Sequence, residues 1–385
     1  MAITRNTSVS GGGGGSATVG KSQLLSAISA YKRGLRTRPP IILGIGDSNF
    51  CPDGPGDGAT HYVNAFGKGP IDRILNTAPT LAGLPLKNTA WLGEGNMSVS
   101  AFFVAVNVFN PKLSLGSGWN MDNASRFGLG GGWMRGDAPT VGYLQYSFGS
   151  AVNNVEIYIR TSATDSASVG VYNSSNTLIT SFTCVAGAPG VTKVTVTGTT
   201  FSDGIVKLKN NGAAFTRIAG MLAWDSTVPS ILVMNAAFCA AKCSDFAAVV
   251  NPWDGMGFYP FIAPDCTIIG LSINDVIAAT ARATYNTDLT YIANICNNYG
   301  DVIISTGGNG SSANYLNGVS DGIAAEAKLV AAKFNAPFVD MQREWVSWAA
   351  TNAIGYELDA HHRTAPGYTD QGRVYGELLT SIIGS

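Results

Sequence analysis

The chain has 385 residues, 47 of them glycine, with a formal net charge of −1 and only 13% charged side chains. A surface so close to neutral offers no basic face, so neither nucleic acid nor an anionic membrane is expected as a partner. The length suits two domains or one domain with a large insertion, and no apolar run of about 18 residues could span a bilayer.

Residues 1–38, with five consecutive glycines at Gly11–Gly15, read as a flexible segment followed by a short helix. The N-terminus carries no apolar stretch of the secretory type, so the expectation is cytosolic synthesis or an excised piece of something longer. Cys51, Cys184, Cys239, Cys243, Cys266 and Cys296 are spaced for neither a disulfide scaffold nor a zinc site, and they read as small buried hydrophobes.

From Ile41 the run "IILGI" predicts a buried strand, followed by Gly46-Asp47-Ser48-Asn49 and a helix around residues 62–76. His61 reads as a loop or helix-start residue. Residues 101–228 then become strand-like throughout. In "VEIYIR", Val155, Ile157 and Ile159 share one face and Glu156, Tyr158 and Arg160 the other. "KVTVTG" and "IVKLKN" repeat the pattern with Val194 and Val196, then Val206 and Leu208. Short strands between Gly, Ser, Asn and Asp turns predict an all-β sandwich or jelly roll.

After Pro229 the pattern reverts. "ILVMNAAF", "CTIIGLSI", "DVIIST" and "APFVDM" are continuous apolar runs, each followed by a helix-compatible stretch such as "AAEAKLVAAKF". With "IILGI" they predict a flavodoxin-like, doubly wound α/β/α domain over 39–100 and 229–385, interrupted between its first and second strands by the sandwich. Such sheets place their functional site beyond the carboxyl ends of the strands.

Four segments fall there: Gly46-Asp47-Ser48, "NAAFCAAKC" (235–243), "SINDV" (272–276) and "LDAHHRTAPGY" (358–368). A nucleophilic serine needs an imidazole to take its proton and a carboxylate to fix the imidazole tautomer. The chain has three histidines, His61, His361 and His362, and Asp359 lies three residues before His362. Ser48 by itself also suits an ordinary turn. A dinucleotide loop is disfavoured because Asn49 replaces the third glycine, and a G-x-S-x-G elbow fails because Phe50 replaces its second.

Taken in order, the four segments resemble the SGNH or GDSL hydrolases, whose blocks follow the first three strands and end in Asp-x-x-His. The resemblance covers roughly residues 41–60 and 230–380. It implies Ser48 as nucleophile, His362 as base and Asp359 as its orienting carboxylate. The N–H groups of Ser48 and Ala240 and the side-chain amide of Asn274 would hold the oxyanion, with Asp47 and Asp275 in support. No cofactor and no metal are implied. Two positions depart from the family pattern: Ala240 and Ser272 stand where glycines are usual, and alanine serves unless the backbone requires positive φ. A helix starting just after Ser48 is expected to add its positive end to the site. Cys51 and Cys239 are expected near one another, in a structural role.

The fold does not name the ester. Trp91, Trp119, Trp133 and Trp253 lie in Gly- and Asn-rich surroundings where exposed aromatic faces would suit sugar, although core or domain-interface placement is the commoner role for each. The leading expectation is a carbohydrate O-acetylesterase acting on an acylated carbohydrate or small ester. The glycine linker resembles those of virion tail proteins that deacetylate surface polysaccharide, and a homo-oligomer is compatible with this. The alternative is a non-catalytic glycan-binding or structural module of a virion surface with a vestigial site.

Overall fold

The computed structural model describes residues 22–51, 68–92, 110–122, 133–162 without 138, 140 and 141, 167–184, 190–249, and 251–384 without 252, 313, 314 and 316. The glycine run, His61 and the first part of the helix expected at 62–76 lie outside the described residues.

In chain order, α1 (Gln23–Lys32) precedes β1 (Ile41–Gly46), α2 (Pro70–Thr77) and the short strands β2 (Thr80–Leu81), β3 (Leu84–Lys87) and β4 (Ala90–Leu92). Next come β5 (Leu113–Leu115), β6 (Trp119–Asp122), β7 (Trp133–Gly136), β8 (Leu144–Ser147), β9 (Val152–Thr161), β10 (Ala167–Tyr172), β11 (Leu178–Cys184), β12 (Gly190–Phe201), β13 (Ile205–Asn210) and β14 (Thr216–Trp224). The last part runs β15 (Ile231–Asn235), α3 (Cys243–Ala247), α4 (Tyr259–Ile262), β16 (Cys266–Gly270), α5 (Ile273–Ile277), α6 (Arg282–Asn297), β17 (Asp301–Ser305), α7 (Val319–Lys333), β18 (Phe338–Val339), α8 (Met341–Glu344), α9 (Trp348–Ala353) and α10 (Ala365–Gly384).

A seven-stranded sheet runs β18-β17-β16-β1-β15-β3-β2, parallel except for β2. The five strands expected from the apolar runs occupy the doubly wound order of a flavodoxin-like sheet. The β2–β3 hairpin extends one edge beyond them. Every residue of β1 is buried. Ile41, Leu43 and Ile45 enter a cluster with α6 and α7, whereas Ile42 enters one with α1, α2 and α10. Helices cover both faces, so these strands are apolar without alternation.

The remaining strands form two antiparallel sheets, β11-β10-β13-β8-β5 and β12-β9-β14-β7-β6, with β4 added on β14. Both sheets contribute to one apolar cluster, in which Val155, Ile157 and Ile159 of β9 meet Val206 and Leu208 of β13. Ala90–Leu92 already pairs with β14, so the chain leaves the parallel sheet before residue 100.

The opposite face of β9 is not turned to solvent. Glu156 and Tyr158 are buried there, and Tyr158 joins the apolar cluster of the parallel sheet. Arg38, just ahead of β1, donates to the Glu156 carboxylate at 2.8 Å and to the Ile262 carbonyl at 2.7 Å. The Tyr158 hydroxyl donates to the same carboxylate at 2.7 Å. A buried charge needs such partners, and here they tie the six-stranded sheet to the α/β core. No helix among the described residues is long and apolar enough to cross a membrane.

Candidate active site

The site begins where β1 ends. A Cβ on Gly46 would come within 2.4 Å of the Phe50 side chain, and one on Gly270 within 1.9 Å of its ring. Two glycines at neighbouring strand ends thus make room for Phe50, which is fully buried and also packs on Tyr375 at 5.6 Å. This anchors the turn that carries Ser48. The N–H groups of Phe50 and Cys51 both donate to the Asp47 carbonyl, at 2.9 and 2.8 Å. Of the helix expected just after Ser48, only the stretch to Cys51 falls among the described residues. A single turn stands there, and two of its N–H groups are committed to Asp47.

The Asp47 carboxylate is buried and accepts from the N–H groups of Asn49 (2.9 Å), Ser272 (3.3 Å) and Ile273 (3.2 Å). It therefore fastens the Ser48 turn to the start of α5. Burial pushes its pKa up to about 6, against the pull of those three N–H groups. The folded value lies above the ordinary 3.8. The stability that Asp47 contributes is therefore complete below about pH 4 and is lost as pH rises through about 6. Relative to Asp47→Asn, the wild type should lose on the order of 2 kcal/mol between about pH 4 and 7.5. Urea unfolding at the two pH values measures this, and an unchanged difference would rule it out.

Ser48, His362 and Asp359 come together across the sheet. His362 Nε2 lies 3.1 Å from Ser48 Oγ, and His362 Nδ1 lies 2.8 Å from Asp359 Oδ2. The other carboxylate oxygen accepts from the N–H groups of His361 (2.7 Å) and His362 (2.8 Å). Partial burial would raise the pKa of Asp359, but its bonds from the imidazole and the two N–H groups, with the imidazolium charge, hold it well below the usual carboxylate range. His361 points elsewhere, its ring 6.3 Å from that of Tyr315. Burial and the neighbouring imidazole lower its pKa.

The other residues expected in the site follow β15 and β16, Ala240 in a turn and Asn274 and Asp275 in α5. Ala240 has φ +58°, the left-handed region that favours glycine, so the substitution of alanine there carries backbone strain. The Asn274 side-chain amide donates to the Ala241 carbonyl at 3.0 Å, joining α5 to the loop after β15. An amide nitrogen carries two hydrogens, so this bond uses one of them. Asp275 accepts from the Cys243 N–H at 3.0 Å and so holds the start of α3. Ser272 has φ −160°, where no glycine is needed, and its hydroxyl accepts from the Gly307 N–H at 2.6 Å.

Glu357 and Arg363 were not singled out from the sequence. They bracket the Asp359–His362 loop as an isolated β-bridge, closed inside by Leu358 N–H donating to the His362 carbonyl at 2.9 Å. Arg363 is wholly buried, pairs with Glu357, donates to the Asn309 carbonyl and stacks on Trp345 at 5.1 Å. Opposite charges on either side of Asp-x-x-His, in a chain so poor in charge, were the available signal.

The described tryptophans named above take the core reading, not the sugar-stacking one. Trp119, Trp133 and Trp253 are buried, and Trp253 lies under the Arg160 guanidinium at 4.2 Å, while the Trp91 side chain lies outside the described residues. Trp224 and Trp345 are buried too, which leaves Trp348 as the half-exposed indole among the described ones. It lines a cavity of about 870 Å³ at the carboxyl ends of β17 and β18, with Asn309, Ser311, Tyr315, Lys328 and Arg343. Ser48, Asp359 and His362 do not line this cavity. It shares a wall with them, because Trp348 Nε1 donates to the Asp359 carbonyl and Ser311 N–H to the Ala360 carbonyl, each at 3.1 Å. No group of His, Cys, Asp or Glu among the described residues is placed to hold a metal.

The chain has the SGNH hydrolase fold. Among solved structures it is similar to a peptidoglycan O-acetylesterase, with TM-score 0.66 and 14% identity over 94% of this chain and 96% of that one. The likeness therefore extends beyond the α/β part to which the sequence resemblance was confined. A family two carbohydrate esterase from Clostridium thermocellum in complex with cellohexaose matches with TM-score 0.32 and 9% identity, over 69% of this chain and 99% of that one. A lipase/acylhydrolase from Enterococcus faecalis matches with TM-score 0.32 and 18% identity, over 39% and 76%. No family model and no curated protein matches the sequence.

Proposed function

We propose that the protein is a serine esterase that removes O-acetyl groups from a carbohydrate. The observation that carries this reading is the continuous relay from Ser48 Oγ through His362 to Asp359, at 3.1 and 2.8 Å. Ser48 Oγ attacks the ester carbonyl carbon while His362 Nε2 takes its proton, and Asp359 holds the imidazole tautomer and stabilises the imidazolium. The N–H groups of Ser48 and Ala240 and the Asn274 amide receive the oxyanion. Collapse of the tetrahedral intermediate expels the sugar hydroxyl, which takes the proton from His362. Water activated by the same imidazole then releases acetate from Ser48.

In this reading residues 39–100 and 229–385 are the hydrolase domain, apart from Ala90–Leu92, which joins the sandwich sheet on β14, and 101–228 are an inserted sandwich held in place by the Arg38–Glu156 pair. A purely glycan-binding module would not require a base at hydrogen-bond distance from Ser48. The carbohydrate part rests on Trp348 and Tyr315 in a cavity that also carries amide, hydroxyl and charged groups, the mixture that sugar faces and hydroxyls need.

Ala325 is exposed on α7 and lines that cavity. Ala325→Trp should raise KM for an O-acetylated polysaccharide about tenfold, the loss of roughly 1.4 kcal/mol of uniform binding. Its kcat/KM for p-nitrophenyl acetate should stay at the wild-type value. Equal KM for the polysaccharide in both proteins would remove the carbohydrate assignment. A wild-type preference for p-nitrophenyl octanoate over acetate would replace it with a lipase.

A further inference from the structure

Two thiols sit at the hinge points of the proposed site. Cys51 closes the turn that carries Ser48, and Cys239 immediately precedes Ala240 in the loop after β15. Their Sγ atoms are 3.6 Å apart although the residues are 188 apart in sequence. Both are 2% exposed and belong to the apolar cluster that contains Phe50, Ile71 and Ala237. Sulfur atoms at this distance are in van der Waals contact, and a disulfide needs only about 1.5 Å of further approach.

We propose that Cys51 and Cys239 are a reversible disulfide pair, and that closing it shifts the Cys239–Ala240 loop against the Ser48 turn and lowers turnover. This rests on the esterase reading above. The coupling is mechanical. Peptide planarity makes the Ala240 N–H move with the Cys239 carbonyl, so displacement of Cys239 is passed on without slack. Ala240 already occupies a left-handed conformation, which leaves little freedom to absorb the shift. Misplacement by about 1 Å in an active site can cost about 10²-fold in rate.

The oxidant must be small because the thiols are buried, and hydrogen peroxide meets that requirement. One cysteine thiolate attacks a peroxide oxygen; the O–O bond breaks, and the leaving oxygen departs as water once protonated. The sulfenic acid so formed is attacked by the second cysteine sulfur, the S–O bond breaks, and a second water leaves. Two thiols give up two electrons and two protons, and the peroxide takes both.

The test uses the full chain. Protein with and without hydrogen peroxide treatment is alkylated with iodoacetamide, digested and analysed by mass spectrometry, with turnover of p-nitrophenyl acetate measured in parallel. The expected result is a peptide pair joined through Cys51 and Cys239, lighter by two hydrogens than the free thiols, together with a 10- to 100-fold fall in kcat that dithiothreitol restores. Cys51→Ala and Cys239→Ala, made separately, should keep their turnover under the same treatment. Recovery of both cysteines alkylated after treatment would overturn the pair. So would joined protein that turns over at the reduced rate constant, or a Cys51→Ala variant that loses turnover as the wild type does. The cross-link is read by mass, so it is decided even if the reduced protein releases no acetate, a result that would instead remove the esterase reading.

Discussion

Ser48→Ala should lower acetate release by about 10⁴- to 10⁶-fold and abolish labelling by a fluorophosphonate probe. In the proposed mechanism this hydroxyl is the nucleophile, so its loss removes the acyl-enzyme route. The remaining rate should still exceed that of water by about 10³-fold, because oxyanion donors and substrate positioning survive the substitution. Folding should be little affected, since the hydroxyl's contact in the relay is one bond to His362 at 3.1 Å. The acid limb of kcat/KM in the wild type should fall with decreasing pH, because the imidazole must be neutral to accept the Ser48 proton. Probe attached to any residue other than Ser48, or unchanged turnover in Ser48→Ala, would sink the proposed chemistry.

Arg363→Met should destabilise the fold by about 3–5 kcal/mol and lower kcat as well. The guanidinium is buried with its charge answered by Glu357, whose carboxyl also accepts from the Thr351 hydroxyl. Burial pushes the Glu357 pKa up and Arg363 opposes that rise, so removing the arginine leaves a carboxyl in apolar surroundings with a single hydroxyl for company. The same residue holds the strand-like frame of the Asp359–His362 loop, hence the expected effect on turnover. Adding Glu357→Leu to Arg363→Met should recover most of the stability, since a buried pair replaced by apolar groups is often neutral. Urea unfolding decides: a loss below about 1 kcal/mol in the single variant, or no recovery in the double, contradicts the account.

Much of the α/β sheet was legible because both faces of its strands are covered, and double burial leaves a continuous apolar run as its trace. The Asp359-x-x-His362 spacing was legible for a similar reason: the two side chains meet through bonds that span three residues. The β9 alternation identified the sheet-to-sheet face correctly, yet it gave no sign that Glu156 and Tyr158 are buried on the other side. Arg38, which makes that burial tolerable, lies 118 residues earlier. Burial was the commoner expectation for each tryptophan, but composition around an indole does not say which surface covers it. Trp348, with no glycine-rich context to mark it, stayed unnoticed.

The sequence by itself determined which stretches become strands and helices, where the polar blocks fall relative to strand ends, and which residue types could act as nucleophile, base and orienting acid. These depend on periodicity and on neighbours a few residues away. Only the tertiary structure decided which of these groups touch: Ser48 with His362 across 314 residues, Cys51 with Cys239 across 188, and the Phe50 ring seated over Gly46 and Gly270. Contacts of that kind follow from strand order in the sheet and from close packing at its ends, and neither is encoded in any local stretch.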